Sequence, residues 1–272
     1  MKKVFSMLLA LLLITTLAAC SDEGGDDSDL DDFRQEEIIV DHITNDAGET
    51  FYFDSVDSES VTVTSYKGSD VPHKVVIPAE LNGKKVVAIS ERAFYSCSNV
   101  TAVEFPATLT TIEPFAFAGC TMIEALTIPA TVTTIGEGAF YNCSGMKTLT
   151  FAAGSQLSAL PASVFQRCSA LTEVSIPANI KTIGSAAFFQ CAALAKITIA
   201  NGVEMIGTQA FQDCTALATL ELPASLVSIG SFNFTGCDGL YRNGVTVPAG
   251  SAAETYIASL NLAAAPAETP VA

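Results

Sequence analysis

Residues 120–143 read CTMIEALTIPATVTTIGEGAFYNC, and the same pattern returns along most of the chain. Its cysteines belong to a series in which each member has a phenylalanine three residues before it. The series has steps of 23, 23, 25, 23, 23 and 23 residues and consists of Cys97, Cys120, Cys143, Cys168, Cys191, Cys214 and Cys237. A fixed period in the twenties is the signature of a solenoid, in which each unit is one coil stacked on the previous one.

Within each unit the apolar residues indicate two short extended segments and a compact turn. In the quoted stretch Leu126 and Ile128 alternate with Thr127, which predicts a strand with one inward face. Pro129 then ends the strand, because proline cannot donate to a ladder. A second extended segment ends at Ile135, and the turn with Ala-Phe and Cys follows. We expect stacked coils about 4.8 Å apart, with these apolar positions in continuous internal columns.

The corners and loops of the repeat show two further features. A glycine follows the second extended segment in four units, where we expect a corner that needs a residue without a Cβ. These glycines are Gly136, Gly184, Gly207 and Gly230. In the 25-residue unit Pro161 takes this position, and Ala152-Ala153-Gly154-Ser155 follows Phe151 in place of proline. We interpret the two extra residues as a bulge in an exposed loop.

The consensus C-x-x-L-x-x-[IV]-x-[IF]-P-x-x-[VL]-x-x-I-G-x-x-A-F-x-x-C resembles the BspA-type leucine-rich repeat, and the resemblance covers residues 60–250. It implies a solenoid, a right-handed leucine-rich-repeat coil with short parallel β-strands and about seven 23-residue repeats. Residues 61–89 resemble a divergent N-terminal capping repeat. Residues 245–256 resemble a C-terminal cap made of a strand and a short helix.

The N-terminus resembles a bacterial lipoprotein signal. Lys2 and Lys3 precede an apolar run that is shorter than the roughly 20 residues of a membrane-spanning helix. Leu17-Ala18-Ala19-Cys20 resembles a lipobox, in which Cys20 becomes the lipidated first residue. The alternative is an ordinary signal peptide with a chance cysteine. We expect the lipid to be the only contact with the membrane.

An acidic segment follows the lipobox. Residues 21–37 carry nine acidic side chains against one basic side chain, Arg34, and contain few apolar residues, which predicts a flexible tether. Ser21-Asp22-Glu23 also resembles the export signal of surface lipoproteins in the Bacteroidetes, although a plain solvated linker is equally compatible. The expected location is therefore the outer membrane, lipid-anchored and exposed at the surface.

The expected organisation of the chain has six parts. They are a signal peptide (1–19), the lipidated cysteine and tether (20–37), an N-terminal capping region (38–89), the solenoid (90–240), a C-terminal cap (241–262) and a tail (263–272). The net charge of −16 opposes binding to phosphate backbones, so nucleic acid is excluded as a partner.

The cysteine column permits two interpretations. Cysteines in register on adjacent coils would have parallel side chains about 4.8 Å apart, whereas a disulfide needs Cβ atoms about 3.8 Å apart and a dihedral near 90°. Buried thiols that act as small hydrophobes are therefore favoured over disulfides. No C-x₂-C spacing indicates a metal site, and no cofactor is expected. We expect serine at an inner cysteine to destabilise the fold by burying an unpaired hydroxyl.

Catalytic motifs are missing from the sequence. His42 and His73 are its only histidines, and neither has a cysteine or serine at a recognisable motif spacing. We therefore do not expect an enzyme. Asn233-Phe234-Thr235 matches the N-glycan acceptor pattern, but its position in the repeat makes a coincidence the better interpretation.

The outward positions of the first strand form the candidate binding face. They are Glu104, Thr127, Thr148, Thr150, Glu173, Ser175, Lys196, Thr198, Thr219 and Glu221. This set has few aromatic residues, and threonine also simply suits strands. The resemblance implies adhesion through protein partners, either host matrix proteins or bacterial surface proteins. The alternative is an accessory envelope lipoprotein that binds another envelope protein or a glycan.

Overall fold

The computed structural model describes residues 41–240 and 244–260. The predicted signal peptide, Cys20, the acidic tether and the tail lie outside the described residues. Within the described residues there are nineteen strands and one helix. They are β1 Asp41–Thr44, β2 Thr50–Ser55, β3 Ser60–Lys67, β4 His73–Val76, β5 Glu80–Leu81, β6 Lys84–Ile89, β7 Val100–Glu104, β8 Thr111–Ile112, β9 Ala125–Ile128, β10 Thr134–Ile135, β11 Thr148–Phe151, β12 Ala159–Leu160, β13 Glu173–Ile176, β14 Thr182–Ile183, β15 Lys196–Ile199, β16 Met205–Ile206, β17 Thr219–Glu221, β18 Ser228–Ile229, β19 Val245–Thr246 and α1 Ala252–Ser259.

The first strands of successive units form one side of the solenoid, which we call the strand face. It is a parallel sheet in the order β19-β17-β15-β13-β11-β9-β7-β4. Equivalent residues of successive units lie side by side, as Leu126 lies beside Leu149. Exposed and buried residues alternate along β9 and β13. The predicted leucine-rich-repeat solenoid with short parallel strands is confirmed.

The second extended segments also pair in parallel and form a second side. Here β6, β8 and β10 are neighbours, and β12, β14, β16 and β18 form a separate sheet. Each two-residue strand ends in a buried or partly buried aliphatic residue, such as Ile112 or Ile183. The pairing stops between β10 and β12, at the coil with two extra residues. Of that insertion, Ala153 and Gly154 are exposed, whereas Ser155 is buried.

Stacked phenylalanine rings run through the core. Neighbouring rings from Phe94 to Phe234 have centroids 4.7 to 6.0 Å apart and lie within 24° of parallel. Tyr66 stacks on the first ring at 4.7 Å, and Tyr256 of α1 meets the last ring edge-on at 6.2 Å. The ladder therefore ends in a tyrosine at both caps, where an amphipathic ring suits the boundary between core and solvent.

The cysteine column consists of free thiols, of which all except the half-buried Cys97 are buried. Each buried thiol donates a hydrogen bond to the carbonyl of the phenylalanine in the preceding coil, with S···O distances of 3.2 to 3.4 Å. A serine hydroxyl at one of these positions would meet the same carbonyl acceptor. The prediction that it would be buried without a partner is therefore wrong.

The turns bring neighbouring coils into close contact. Phe117 donates from its amide to the carbonyl of Ala139 at 2.8 Å, and equivalent bonds recur along the solenoid. The corner glycines have ordinary negative φ angles. They are required by proximity instead, because a Cβ on Gly136 would lie 2.2 Å from the amide nitrogen of Pro114.

Both ends of the solenoid are capped. At the N-terminus β1, β2 and β3 form an antiparallel meander that joins the solenoid through β3 and β6. At the C-terminus Asn233 replaces the small or apolar residue that precedes each phenylalanine. Its buried amide donates to Gly207 and Gly230 and accepts from Ala210. This burial supports the interpretation that the glycan acceptor match is a coincidence.

Candidate interaction surface

The structure places all ten candidate binding residues on the strand face. Seven are exposed, and Thr198, Thr219 and Glu221 are partly exposed. Register brings them into adjacent rows, with Thr150 beside Thr127 and Glu173 beside Lys196. They therefore form one continuous surface of threonine, serine and alternating charges.

The ladder of the strand face opens at two places. Between β7 and β9 the register is a single pair, Ala102 with Ala125. Between β11 and β13 it is again a single pair, Thr148 with Glu173. In contrast, β9 with β11 and β13 with β15 each keep four pairs. Beyond each single pair, the backbone groups of the two facing strands are not paired with one another.

A phenylalanine and a proline flank each opening. Phe151 is the last inward residue of β11, and Phe105 takes the equivalent position directly after β7. Both are partly exposed where aliphatic residues of other coils are buried. The facing strands β9 and β13 are followed directly by Pro129 and Pro177, which cannot donate the closing bond. Phe105 is held edge-on against Phe117 at 5.6 Å. A large ring beside a missing donor favours separation of the strands.

Each opening is a shallow groove on the strand face. The first has a volume of about 590 Å³ and is lined by residues that include Val76, Val103, Phe105 and Ala125. The second has a volume of about 490 Å³ and is lined by residues that include Leu149, Phe151, Ser175 and Lys196. The expectation that this face has few aromatic groups thus missed Phe105 and Phe151. The one signal in the sequence was phenylalanine at a position that other units fill with isoleucine or leucine.

Ion pairs between coils moderate the charge of this surface. Lys74 pairs with Glu104, and Lys147 pairs with Glu124 at 3.1 Å. All four side chains are about half exposed or more, so each pair contributes at most about 1 kcal/mol. Their main effect is that the grooves lie in a surface of mixed charge within a strongly acidic chain.

The chemistry near the N-terminal cap does not resemble a nucleophilic site. His73 bonds through Nε2 to the Tyr66 hydroxyl at 2.7 Å and through Nδ1 to the Val71 carbonyl at 2.8 Å. The Tyr66 hydroxyl also donates to the buried Glu49 carboxylate. Burial raises the pKa of the nearby Cys97 thiol, opposite to the shift that activates a nucleophile.

Within residues 41–240 and 244–260 no group of three His, Cys, Asp or Glu side chains is arranged to hold a metal ion. In the same part of the chain, no helix combines the length and hydrophobicity needed to span a bilayer.

Comparisons with known proteins agree with this architecture. The family model for the BspA type leucine rich repeat region matches residues 87–217 and 158–248, in six copies. A leucine rich cell surface protein from Faecalibacterium prausnitzii is 28% identical, with a TM-score of 0.64 over 75% of this chain and 54% of its own. No curated protein sequence matches the chain.

Two further solved structures are similar. The leucine-rich repeat protein TpLRR of T. pallidum is 28% identical, with a TM-score of 0.67 over 79% of this chain and 97% of its own. A leucine-rich repeat protein from Eubacterium ventriosum is 25% identical, with a TM-score of 0.62 over 72% of this chain and 49% of its own. The chain thus spans about half the length of two of these relatives.

Proposed function

This chain belongs to the family of proteins with BspA-type leucine-rich repeats, and we propose that it binds a protein partner through its strand face. Such repeats generally form protein-binding scaffolds rather than catalytic ones. The observation that carries the proposal is the pair of grooves where the strand ladder opens, each with a partly exposed phenylalanine. Partly desolvated aromatic anchors are typical of the residues that dominate binding energy.

The two grooves have a spacing that suits a single partner segment. They are separated by two strand intervals, or roughly 10 Å. Apolar side chains of a partner would enter the grooves, while the hydroxyls of Thr127, Thr150 and Ser175 supply hydrogen bonds between them. Individually weak contacts of this kind gain strength when many copies act together on one surface.

The setting that we propose for this binding is based on the N-terminal sequence. We propose that residues 1–19 direct export and that Cys20 carries the lipid that anchors the protein to the outer membrane. The acidic segment up to residue 37 would then hold the solenoid away from the bilayer, and residues 38–89 and 241–262 would close its two ends. The similarity to a leucine rich cell surface protein supports surface display. The function in that setting is adhesion to host or bacterial proteins.

A pull-down with groove-filling variants tests the proposal. Residues 21–272 would be presented to extracellular matrix proteins, bacterial envelope extract and a glycan array. Ala125→Arg and Ser175→Arg place a long charged side chain at each groove, and both residues are exposed. We expect each variant to weaken binding at least about tenfold, or about 1.4 kcal/mol.

The control is Thr134→Arg, an exposed residue on the second side of the solenoid. It should leave binding unchanged. Equal losses from all three variants, or no saturable binding by the parent protein, would contradict a role for the strand face. Binding confined to envelope components or glycans would favour the accessory function instead.

A further inference from the structure

The turns around the phenylalanine and cysteine of each unit form a third surface, which we call the turn face. Both arginines of the described residues, Arg92 and Arg167, lie on it. Each guanidinium lies over aromatic rings: Arg92 over Tyr95 and Phe115, at 5.9 and 5.7 Å, and Arg167 over Tyr141 at 5.7 Å. Arginine and tyrosine are enriched among the residues that anchor protein interfaces.

Arg167 is held in one orientation. Its Nε donates to the side-chain oxygen of Gln190, one coil further along, at 3.0 Å. Its guanidinium plane is also fixed by the ring of Tyr141, one coil before it. With Nε committed, the two terminal nitrogens remain as a fork that makes no hydrogen bond within the described residues. A fork of this geometry matches the two oxygens of a carboxylate.

No carboxylate of the described residues lies within ion-pair distance of Arg167. The other turn-face arginine, Arg92, has Glu91 at 3.7 Å, and Lys74, Lys147 and Lys181 have glutamate partners. The turns around Arg167 carry uncharged residues at the neighbouring, partly exposed positions, among them Asn142, Gln166, Phe189 and Gln190. Lys67, Lys84, Lys85 and Lys196 also lack an ion-pair partner among the described residues, so what distinguishes Arg167 is its oriented guanidinium and not the missing partner.

The backbone gives no reason of its own for an arginine here. Arg167 has a left-handed φ of 63°, as do the equivalent residues of other turns, and glycine takes this position in two of them, at Gly119 and Gly236. A long side chain is strained in this conformation, whereas glycine is not. Arg167 is the one cation among the seven equivalent residues, the others being Ser96, Gly119, Asn142, Gln190, Asp213 and Gly236.

We infer that Arg167, with Tyr141 and Gln190, anchors a carboxylate of a protein partner at the turn face. The attraction is between the oriented guanidinium and an aspartate or glutamate side chain of the partner. The rings of Tyr141 and Phe189 would cover apolar groups beside that carboxylate and keep water from the ion pair. This surface is separate from the grooves of the strand face, so the two binding proposals can be tested independently of each other.

Selection from a displayed peptide library tests the inference, with residues 21–272 as the target. We expect the enriched peptides to share an aspartate or glutamate next to an apolar residue. Arg167→Lys keeps the charge but loses the fork, and Arg167→Gly removes both and relieves the backbone. We expect both variants to weaken the selected peptides at least tenfold, while the thermal midpoint of Arg167→Gly stays equal or rises.

Two matched controls separate this contact from general effects. Asp213→Asn changes a charge at the equivalent turn position two coils away and should leave peptide binding unchanged. Arg167→Glu should restore binding of peptides in which the acidic residue has been changed to lysine. Identical peptides enriched on the parent protein and on Arg167→Gly would overturn the inference. So would a parent protein that enriches no peptide, or one that binds acidic glycans alone.

Discussion

Some individual residues stabilise this solenoid through contacts that the repeat consensus does not predict. Asn233 is the clearest case, because it occupies a position that other units fill with alanine or valine and yet is fully buried. Its amide bonds both to its own turn and to the turn of the preceding coil. It thereby joins the last two turns just before the C-terminal cap.

We predict that Asn233→Ala will destabilise the protein by about 2 to 4 kcal/mol, because the buried Ala210 amide and two carbonyls lose their partners. Urea unfolding measures the change. Thr235→Ala, at an exposed neighbouring position, is the control and should be nearly neutral. Equal stability of the two variants would show that the buried amide does not hold the cap.

Glycines in this chain serve two different physical purposes, and a pair of substitutions separates them. At Gly136 a Cβ would meet the Pro114 backbone at 2.2 Å, whereas at Gly154 a Cβ meets nothing within 4 Å but φ is 79°. We predict that Gly154→Ala costs about 1 kcal/mol of stability from strain alone. Gly136→Ala should cost about 3 kcal/mol or more, since backbone has to move. Thermal or urea unfolding that ranks the two in the opposite order would refute the close-approach explanation.

At the scale of the element, the repeat spacing sufficed to predict most of the structure. The inward positions of β9, such as Leu126 and Ile128, followed from alternation, and the cap helix α1 followed from the resemblance to the repeat family. The openings of the strand ladder could not be predicted this way. They depend on how a residue in one coil meets a residue about 23 positions later, and a pattern within one unit does not contain that relation.

The same limit applies to the second side of the solenoid and to Arg167. Two-residue strands are too short to show a period, so their pairing in two separate sheets became visible only in the structure. Gln190 and Tyr141 flank Arg167 because they lie 23 residues after it and 26 residues before it. Such contacts depend on how neighbouring coils are arranged on one another, and the repeat period predicts only that the coils stack.

The opening between β11 and β13 is attributed to the size of Phe151 beside the missing donor of Pro177, and the contribution of the ring can be tested directly. We predict that Phe151→Ile will let the strands pair beyond Thr148 and Glu173, as they do where isoleucine occupies the equivalent position in β9 and β13. Hydrogen exchange of the Ser175 amide should become slower. Exchange at Thr150, which already pairs with β9, is the internal control. Unchanged exchange at Ser175 would show that the ring does not hold the strands apart.

At the scale of the whole molecule, the thiol column makes stability depend on pH. Burial raises the pKa of Cys237 to about 12 and raises that of the other five buried thiols further. Unfolded thiols ionise near pH 8.5. Above that pH the unfolded chain binds fewer protons than the folded one, so stability is complete below it and falls as pH rises.

We predict a loss of about 1.4 kcal/mol per thiol for each pH unit above the unfolded value, or about 8 kcal/mol for six. A typical domain has 5–15 kcal/mol in total, so the solenoid should unfold within one or two units. Urea midpoints between pH 7 and 10.5, in reducing buffer, measure this. Cys191→Ala should reduce the slope by about one sixth. A flat profile to pH 10 would contradict the burial of neutral thiols.

The central claim is that the strand face with its two grooves is where a protein partner binds. Photo-crosslinking tests it most directly, with a photoreactive amino acid placed at Thr127 or Ser175 beside the grooves, or at Thr134 on the second side. The account predicts that the strand-face positions capture one discrete protein from matrix or envelope preparations and that Thr134 does not. Equal capture from both sides, or capture from Thr134 alone, would contradict it.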